Sequence, residues 1–134
     1  KIKPNTTSAH VSAFWDFLPT VCDIAQVELP KNIDGISFLP ELMGDKQELH
    51  DHLYWEFHER GGRQAVRLGN WKGIRLKMSN NSKAPLELYD LAQDVGEQNN
   101  IANNHPEIVA EINAIMEKEH VTSEVFRFGF EKTN

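Results

Sequence analysis

From His50 to His58 the apolar residues fall at every second position, with Leu53, Trp55 and Phe57 set against His50, His52, Tyr54, Glu56 and His58. A period of two is that of a strand, whose successive side chains point to opposite faces. The first set is therefore expected to face a core and the second to form a polar face. Glu59-Arg60-Gly61-Gly62 supplies the glycines of a hairpin turn. Arg63 to Leu68 then returns as a second strand, with Gln64, Val66 and Leu68 alternating against Arg63, Ala65 and Arg67. Gly69-Asn70 marks another tight turn, and Trp71 to Met78 reads as a third strand with Ile74, Leu76 and Met78 on one side. Beyond the polar loop from Ser79 to Pro85, Leu86 to Leu91 is a fourth short strand, so the four make an antiparallel meander.

On either side of the meander the period is helical. Asp16 is expected to cap a helix over Leu18 to Gln26, with Pro19 in the first turn and Leu18, Val21, Cys22 and Ile24 or Ala25 buried. A shorter helical turn spans Leu39 to Met43 and is closed by Gly44. Pro106 opens a longer helix, with His105 or Asn104 near the cap and Glu107 in the first turn. There Ile108, Ile112, Ile115 and Met116 keep the three-and-four spacing of an amphipathic stripe, expected to lie across the apolar face of the sheet. The tail from Val121 to Asn134, with Val125, Phe126, Phe128 and Phe130, reads as a docked extension or an extra strand. The fold class is α+β: a four-stranded antiparallel sheet with a C-terminal helix packed on one face, preceded by a helical segment.

Composition narrows the picture. The 134 residues, 40% of them hydrophobic, suit one domain with a modest core. The net charge of -6 argues against a nucleic-acid partner, because phosphate binding needs clustered Lys and Arg. No apolar run approaches the roughly 18 residues a membrane span requires, so the chain is expected to be soluble, with any membrane tie outside it. One cysteine, Cys22, rules out an intrachain disulfide framework and a cysteine-rich zinc site; on an apolar helix it reads as structural. Lys1 to His10 resembles neither a signal peptide nor a domain start, and the chain reads as cut from something longer.

Candidate chemistry clusters on the first hairpin. His58, Arg63 and Gln64, with Glu59 behind them, surround two glycines, and an Arg and a Gln beside such a backbone can bind an anion or sugar hydroxyls. His50, Asp51 and His52, with Glu56 or His58, could in principle hold a metal, but that spacing is common in loop edges, and no metal site is expected. Glu56, Arg67 and Arg75 read as ordinary cross-strand pairs. Trp55 is expected in the core, and Trp71 is open between core and surface. Asp90, Asp94, Glu97, Asn99 and Asn100 lack the order of a calcium loop and read as turn and capping residues.

Three ordered blocks carry a resemblance to a family. FLPTVCDIAQVELPKNIDGISFLPELMG resembles the end of the large domain of sulfatases, YWEFHERGGRQAVRLGNWKGIR looks like the hairpin opening their small C-terminal domain, and LYDLAQDVGEQNNIANNHPEIV is similar to their closing strand-turn-helix block. Together they cover Ser12 to Glu117. Two positions depart from the pattern: Gln26 stands where a glycine is common, and Val95 where proline usually follows Asp94. The resemblance implies residues 1–48 as the tail of a large α/β domain and 49–134 as a small sheet-plus-helix domain docked on the catalytic domain of the same polypeptide. It also implies a parent that hydrolyses sulfate esters of sulfated carbohydrates or aryl sulfates, using calcium and a formylglycine made within Cys/Ser-x-Pro-x-Arg. That motif is missing, since Cys22 is followed by Asp23 and Ile24 and no serine precedes proline and arginine at the required spacing. This chain is therefore expected to carry no catalytic residue, to bind no cofactor itself and to be inactive alone, contributing His58, Glu59, Arg63 and Gln64 to the rim of the substrate cleft. By analogy the setting is bacterial, periplasmic or secreted. Separated from its parent, the piece would expose Phe14, Trp15, Phe17 and Phe38, and could dimerise through them. The rival readings are a carbohydrate-binding or interaction module and a piece of a related phosphoester or phosphonate hydrolase.

Overall fold

The period-two segments pair in the computed structural model as one antiparallel sheet, β1 (Leu53–Phe57), β2 (Arg63–Leu68), β3 (Trp71–Leu76) and β4 (Leu86–Asp90), in that spatial order. Residues 1–131 are described, Asn80 through its backbone alone; the final three residues of the predicted tail lie outside the described residues. Two compact units divide the chain, Lys1–Asp51 and His52–Asn134.

In the second unit, register decides which face meets the helix. Tyr54, Val66, Gly73 and Leu88 stand side by side in one row across the sheet, and Glu56, Gln64, Arg75 and Leu86 in the next. Helix α3 (Pro106–Glu119) lays Ile112 and Met116 on this face, where they join Val66, Leu86 and Leu88 in the main core. Gly73 makes the approach possible: a Cβ there would stand 2.6 Å from Ile112 Cγ2.

This corrects the expected facing of β1. Leu53 is buried, but Trp55 is 37% and Phe57 44% exposed, both on the face away from α3. Tyr54, expected on the polar face, instead packs against the main core. The reason lies in the neighbouring strands. The rows on the open face mix the apolar residues of β1 with Arg63, Arg67, Lys72 and Glu87, whereas the row of Tyr54 continues through Val66, Gly73 and Leu88. A helix buries its stripe where all four strands are apolar together.

Met78, expected on β3, lies past its end in a short 3-10 turn entered through Lys77 at a left-handed φ of 59°. It forms a second core cluster with Ala84 and Phe128. The tail thus docks through the fully buried Phe128 and forms a 3-10 turn at Gly129–Glu131, with no strand among its described residues.

In the first unit, α1 (Phe17–Ala25) and α2 (Leu39–Met43) form close to expectation, and Gly44 closes α2 at φ 83°. The buried residues of α1 are Pro19, Thr20 and Cys22, while Leu18, Val21 and Ile24 stay exposed, which corrects the stripe read from spacing. Asp16 sits at the N-cap position, yet its carboxylate makes no cap bond to the helix. It accepts instead from the Ala13 N–H at 2.7 Å and the Ile36 N–H at 2.9 Å, and faces His50 Nε2 at 2.8 Å. The Thr20 hydroxyl accepts from the Phe38 N–H at 3.0 Å. The 36–38 segment needs acceptors for these N–H groups, so it follows Asp16 and Thr20 rather than the apolar stripe.

Candidate functional site

The turn between β1 and β2 is built from backbone that few residues tolerate. Arg60, Gly61 and Gly62 all have positive φ, at 51°, 91° and 72°. It is anchored from both sides: the Gly62 N–H donates to Glu59 O at 3.0 Å, while Ser79 N–H and Met78 N–H donate to Gly61 O at 2.8 Å and Gly62 O at 3.1 Å. A Cβ on Gly62 would stand 2.9 Å from the Phe128 ring, so the tail presses directly on the turn.

The four predicted site residues separate around this turn. Glu59 is exposed. His58 is half-buried, its ring 4.2 Å from that of Phe128 and its Nε2 3.2 Å from Glu56 Oε2. Arg63 lies on the open face, its guanidinium 5.3 Å from the centre of the Phe57 ring, and its buried Nε–H finds no acceptor among the described residues. Gln64, next in sequence, points the other way and is buried beneath α3, where its Nε2 donates to Tyr54 Oη at 2.8 Å and to Glu56 Oε1 at 3.3 Å. His58 and Gln64 thus meet through Glu56, while Arg63 stands on the opposite side of the strand.

Glu56 is the hub that sequence reasoning took for one half of a surface pair. Its Oε1 also accepts from the Tyr54 hydroxyl and faces His120 Nδ1 at 2.5 Å. On the other side of that ring, His120 Nε2 faces Glu131 Oε1 at 2.9 Å. Glu131 in turn accepts from the Thr122 hydroxyl at 2.8 Å and from the Phe128 N–H at 2.7 Å. Burial alone would push the His120 ring down, but Glu56 and Glu131 outweigh it and hold the ring above its ordinary 6.5. Burial would push the Glu131 carboxyl up, but the Phe128 N–H, the Thr122 hydroxyl and His120 hold it below its ordinary 4.5. Burial and the neighbouring Glu56 carboxylate raise Tyr54, which stays neutral. His120 and Glu131 were not singled out from sequence; the phenylalanines of the tail, Phe128 among them, were the one visible signal beside them.

Beside the network, a cleft of about 220 Å³ is lined by Gln64, Arg75, Met78, Lys83, Met116 and His120 among others. Arg75, read from sequence as a cross-strand pair, donates to Ser82 O at 3.1 Å and Asn113 Oδ1 at 2.5 Å. The acidic and amide run acts in turns: Asp94 accepts from the Gln98 and Asn99 N–H groups, and Asn100 from those of Leu88 and Ala102. Among the described residues no three His, Cys, Asp or Glu side chains converge to hold a metal ion. His50 and His52 turn to different partners, Asp16 and Glu119. No described helix is long and apolar enough to cross a membrane.

Residues 1–123 match the family described as N-sulphoglucosamine sulphohydrolase, C-terminal. Among curated relatives, a Delta 4,5-hexuronate-2-O-sulfatase of Bacteroides thetaiotaomicron is 33% identical over 106 residues, covering 76% of this chain and 22% of its own length. The arylsulfatase K of Bos taurus is 31% identical over 121 residues, covering 83% of this chain and 22% of its own. A solved structure of a 2-O GAG sulfatase superposes with a TM-score of 0.66 at 32% identity, over 77% of this chain and 23% of that one. The chain spans about a fifth of the length of the curated relatives it matches.

Proposed function

Because this chain belongs to the family of N-sulphoglucosamine sulphohydrolase C-terminal regions, and with it to the sulfatases, we propose that it is the C-terminal part of an enzyme hydrolysing sulfate esters of glycans. The match over residues 1–123 carries this reading, because it runs through all three ordered sequence blocks. The 2-O-sulfatase and GAG sulfatase among its relatives favour a sulfated glycan as substrate. In this reading residues 1–48 end the large domain, and residues 49–134 form the small domain docked upon it. The parent is exported, in a bacterial periplasm or outside the cell.

Sulfatases work with calcium and a formylglycine, and the described residues of this chain fit neither. Cys22 is buried on α1 outside any Cys/Ser-x-Pro-x-Arg motif, and the described residues offer no cluster of acidic ligands. The nucleophile and metal ligands belong to the rest of the parent, and the isolated chain is inactive. What this chain supplies is binding. The Arg63 guanidinium lies over the Phe57 ring on the open face, and its planar fork of N–H donors suits a sulfate or carboxylate oxygen at the cleft rim. His58 and Glu59 present the turn to sugar hydroxyls, and Gln64 holds Tyr54 and Glu56 in place behind them.

The test is made in the intact enzyme with a sulfated oligosaccharide. R63A and H58A are each expected to lower kcat/KM about tenfold or more, mainly through KM, consistent with lost binding of the substrate. An unchanged kcat/KM in both variants, with the melting temperature preserved, would sink the rim assignment.

A further inference from the structure

We propose that His120, Phe128 and Glu131 form a protonation-dependent clasp that positions the β1–β2 turn, closed when the His120 ring carries two protons and opened when it loses one. The argument begins with donors and acceptors. Each nitrogen of His120 faces a carboxylate oxygen, Glu56 at 2.5 Å and Glu131 at 2.9 Å. An ionised carboxylate only accepts, and a neutral imidazole has a single N–H. Only the imidazolium can donate to both sides, so the geometry is that of the charged ring.

The surroundings agree. From β1 the ring meets Glu56, with His58 and the neutral Tyr54 attached to the same carboxylate. From the tail it meets Glu131, whose side chain is 8% exposed. Arg75 of β3, Lys83 of the following loop and Glu117 of α3 line the adjoining cleft with it. Glu119, one residue before it on α3, is paired with Lys118 and His52. The nearest charges on its two nitrogens are thus both negative.

Closure reaches the turn through Phe128. Its N–H is held by Glu131, its ring is fully buried, and it packs on His58 and fills the space that a side chain at Gly62 would occupy. Glu56 grips His120 with one oxygen and His58 with the other. When His120 deprotonates, one of the two carboxylates loses the charged donor that His120 gave it, and Glu131 keeps only the Thr122 hydroxyl and the Phe128 N–H. Glu131 can regain solvation by leaving, and Phe128 leaves with it. His120, Phe128 and Glu131 are positioning residues; their effect on substrate rests on the proposed role of the turn.

Hydrogen exchange on the full chain tests the clasp directly. The protection factor of the Phe128 amide, corrected for intrinsic exchange, is expected to fall about tenfold or more between about pH 5.5 and about pH 8.5. In H120Q it should be low throughout, with the Val66 amide still protected as a control of folding. E131Q, which keeps the side chain's shape, should lose the pH dependence as well. Protection that stays flat in the wild type, or that follows pH equally in H120Q, would overturn the proposal. In the intact enzyme, KM for a sulfated oligosaccharide should rise over the same pH range in the wild type and not in H120Q. A clasp that opens while KM stays constant leaves the clasp standing and overturns the turn's role as substrate rim.

Discussion

At the scale of single residues, backbone conformation and unshared acceptors set the sensitive positions. Gln26 ends α1 with a left-handed φ of 55°, the site where the family resemblance led one to expect glycine. Q26G should raise stability by about 0.5–1 kcal/mol in denaturant unfolding, because only glycine occupies that region without steric cost. Gly62 is the opposite case. Its φ of 72° and the Phe128 ring at 2.9 Å from a built Cβ leave no room for a side chain, so G62A should cost about 2–4 kcal/mol. Asp16 matters for its acceptor role. Burial raises its carboxyl, but the N–H groups of Ala13 and Ile36 and the ring of His50 hold it below the ordinary 3.8. A depressed carboxyl contributes stability above its unfolded value and loses it as pH falls through the folded one. D16A should therefore destabilise by about 2–3 kcal/mol at neutral pH and by progressively less below about pH 4, read from urea midpoints.

Among elements, the contact between α3 and the sheet is decisive. Ile112 is fully buried, packed close over Gly73 and in one core cluster with Val66 and Leu88, which flank Gly73 in the same row. I112A should cost about 2–4 kcal/mol through lost burial and the cavity left behind, measured by denaturant unfolding. The hairpin β1–β2 was legible in outline because glycines and period two are local signals. The facing of β1 was not, because Leu53, Trp55 and Phe57 form an apolar alternation whichever side the helix takes. Only their register partners, Arg67, Ala65 and Arg63, reveal that this face is crossed by charge.

For the whole molecule, charge linkage and exposed apolar surface matter most. His120 is raised above 6.5, so the stability it adds is complete below that value and lost as pH rises through its folded pKa. Glu131 is lowered below 4.5, so its contribution is complete above that value and lost as pH falls. Docking of the tail should be strongest between 4.5 and 6.5, the window both conditions share; H120Q should remove the alkaline limb of the stability profile. In the first unit Phe14 is 92% and Phe17 60% exposed beside Val21 and Ile24. The isolated chain is expected to self-associate through this patch, and F14K/F17K should shift it toward monomer in sedimentation velocity. The sequence alone was enough for the family, the four strands in order, the helices with the Pro106 and Gly44 signals at their ends, and the hairpin as the place to look, because periodicity and turn chemistry are local properties of the chain. The tertiary structure alone decided which face α3 covers, and with it that Gln64 rather than Arg63 is buried, and that Glu56 meets His120 across 64 positions of sequence. Such pairings depend on register and on where the chain returns, and no window of neighbouring residues contains them.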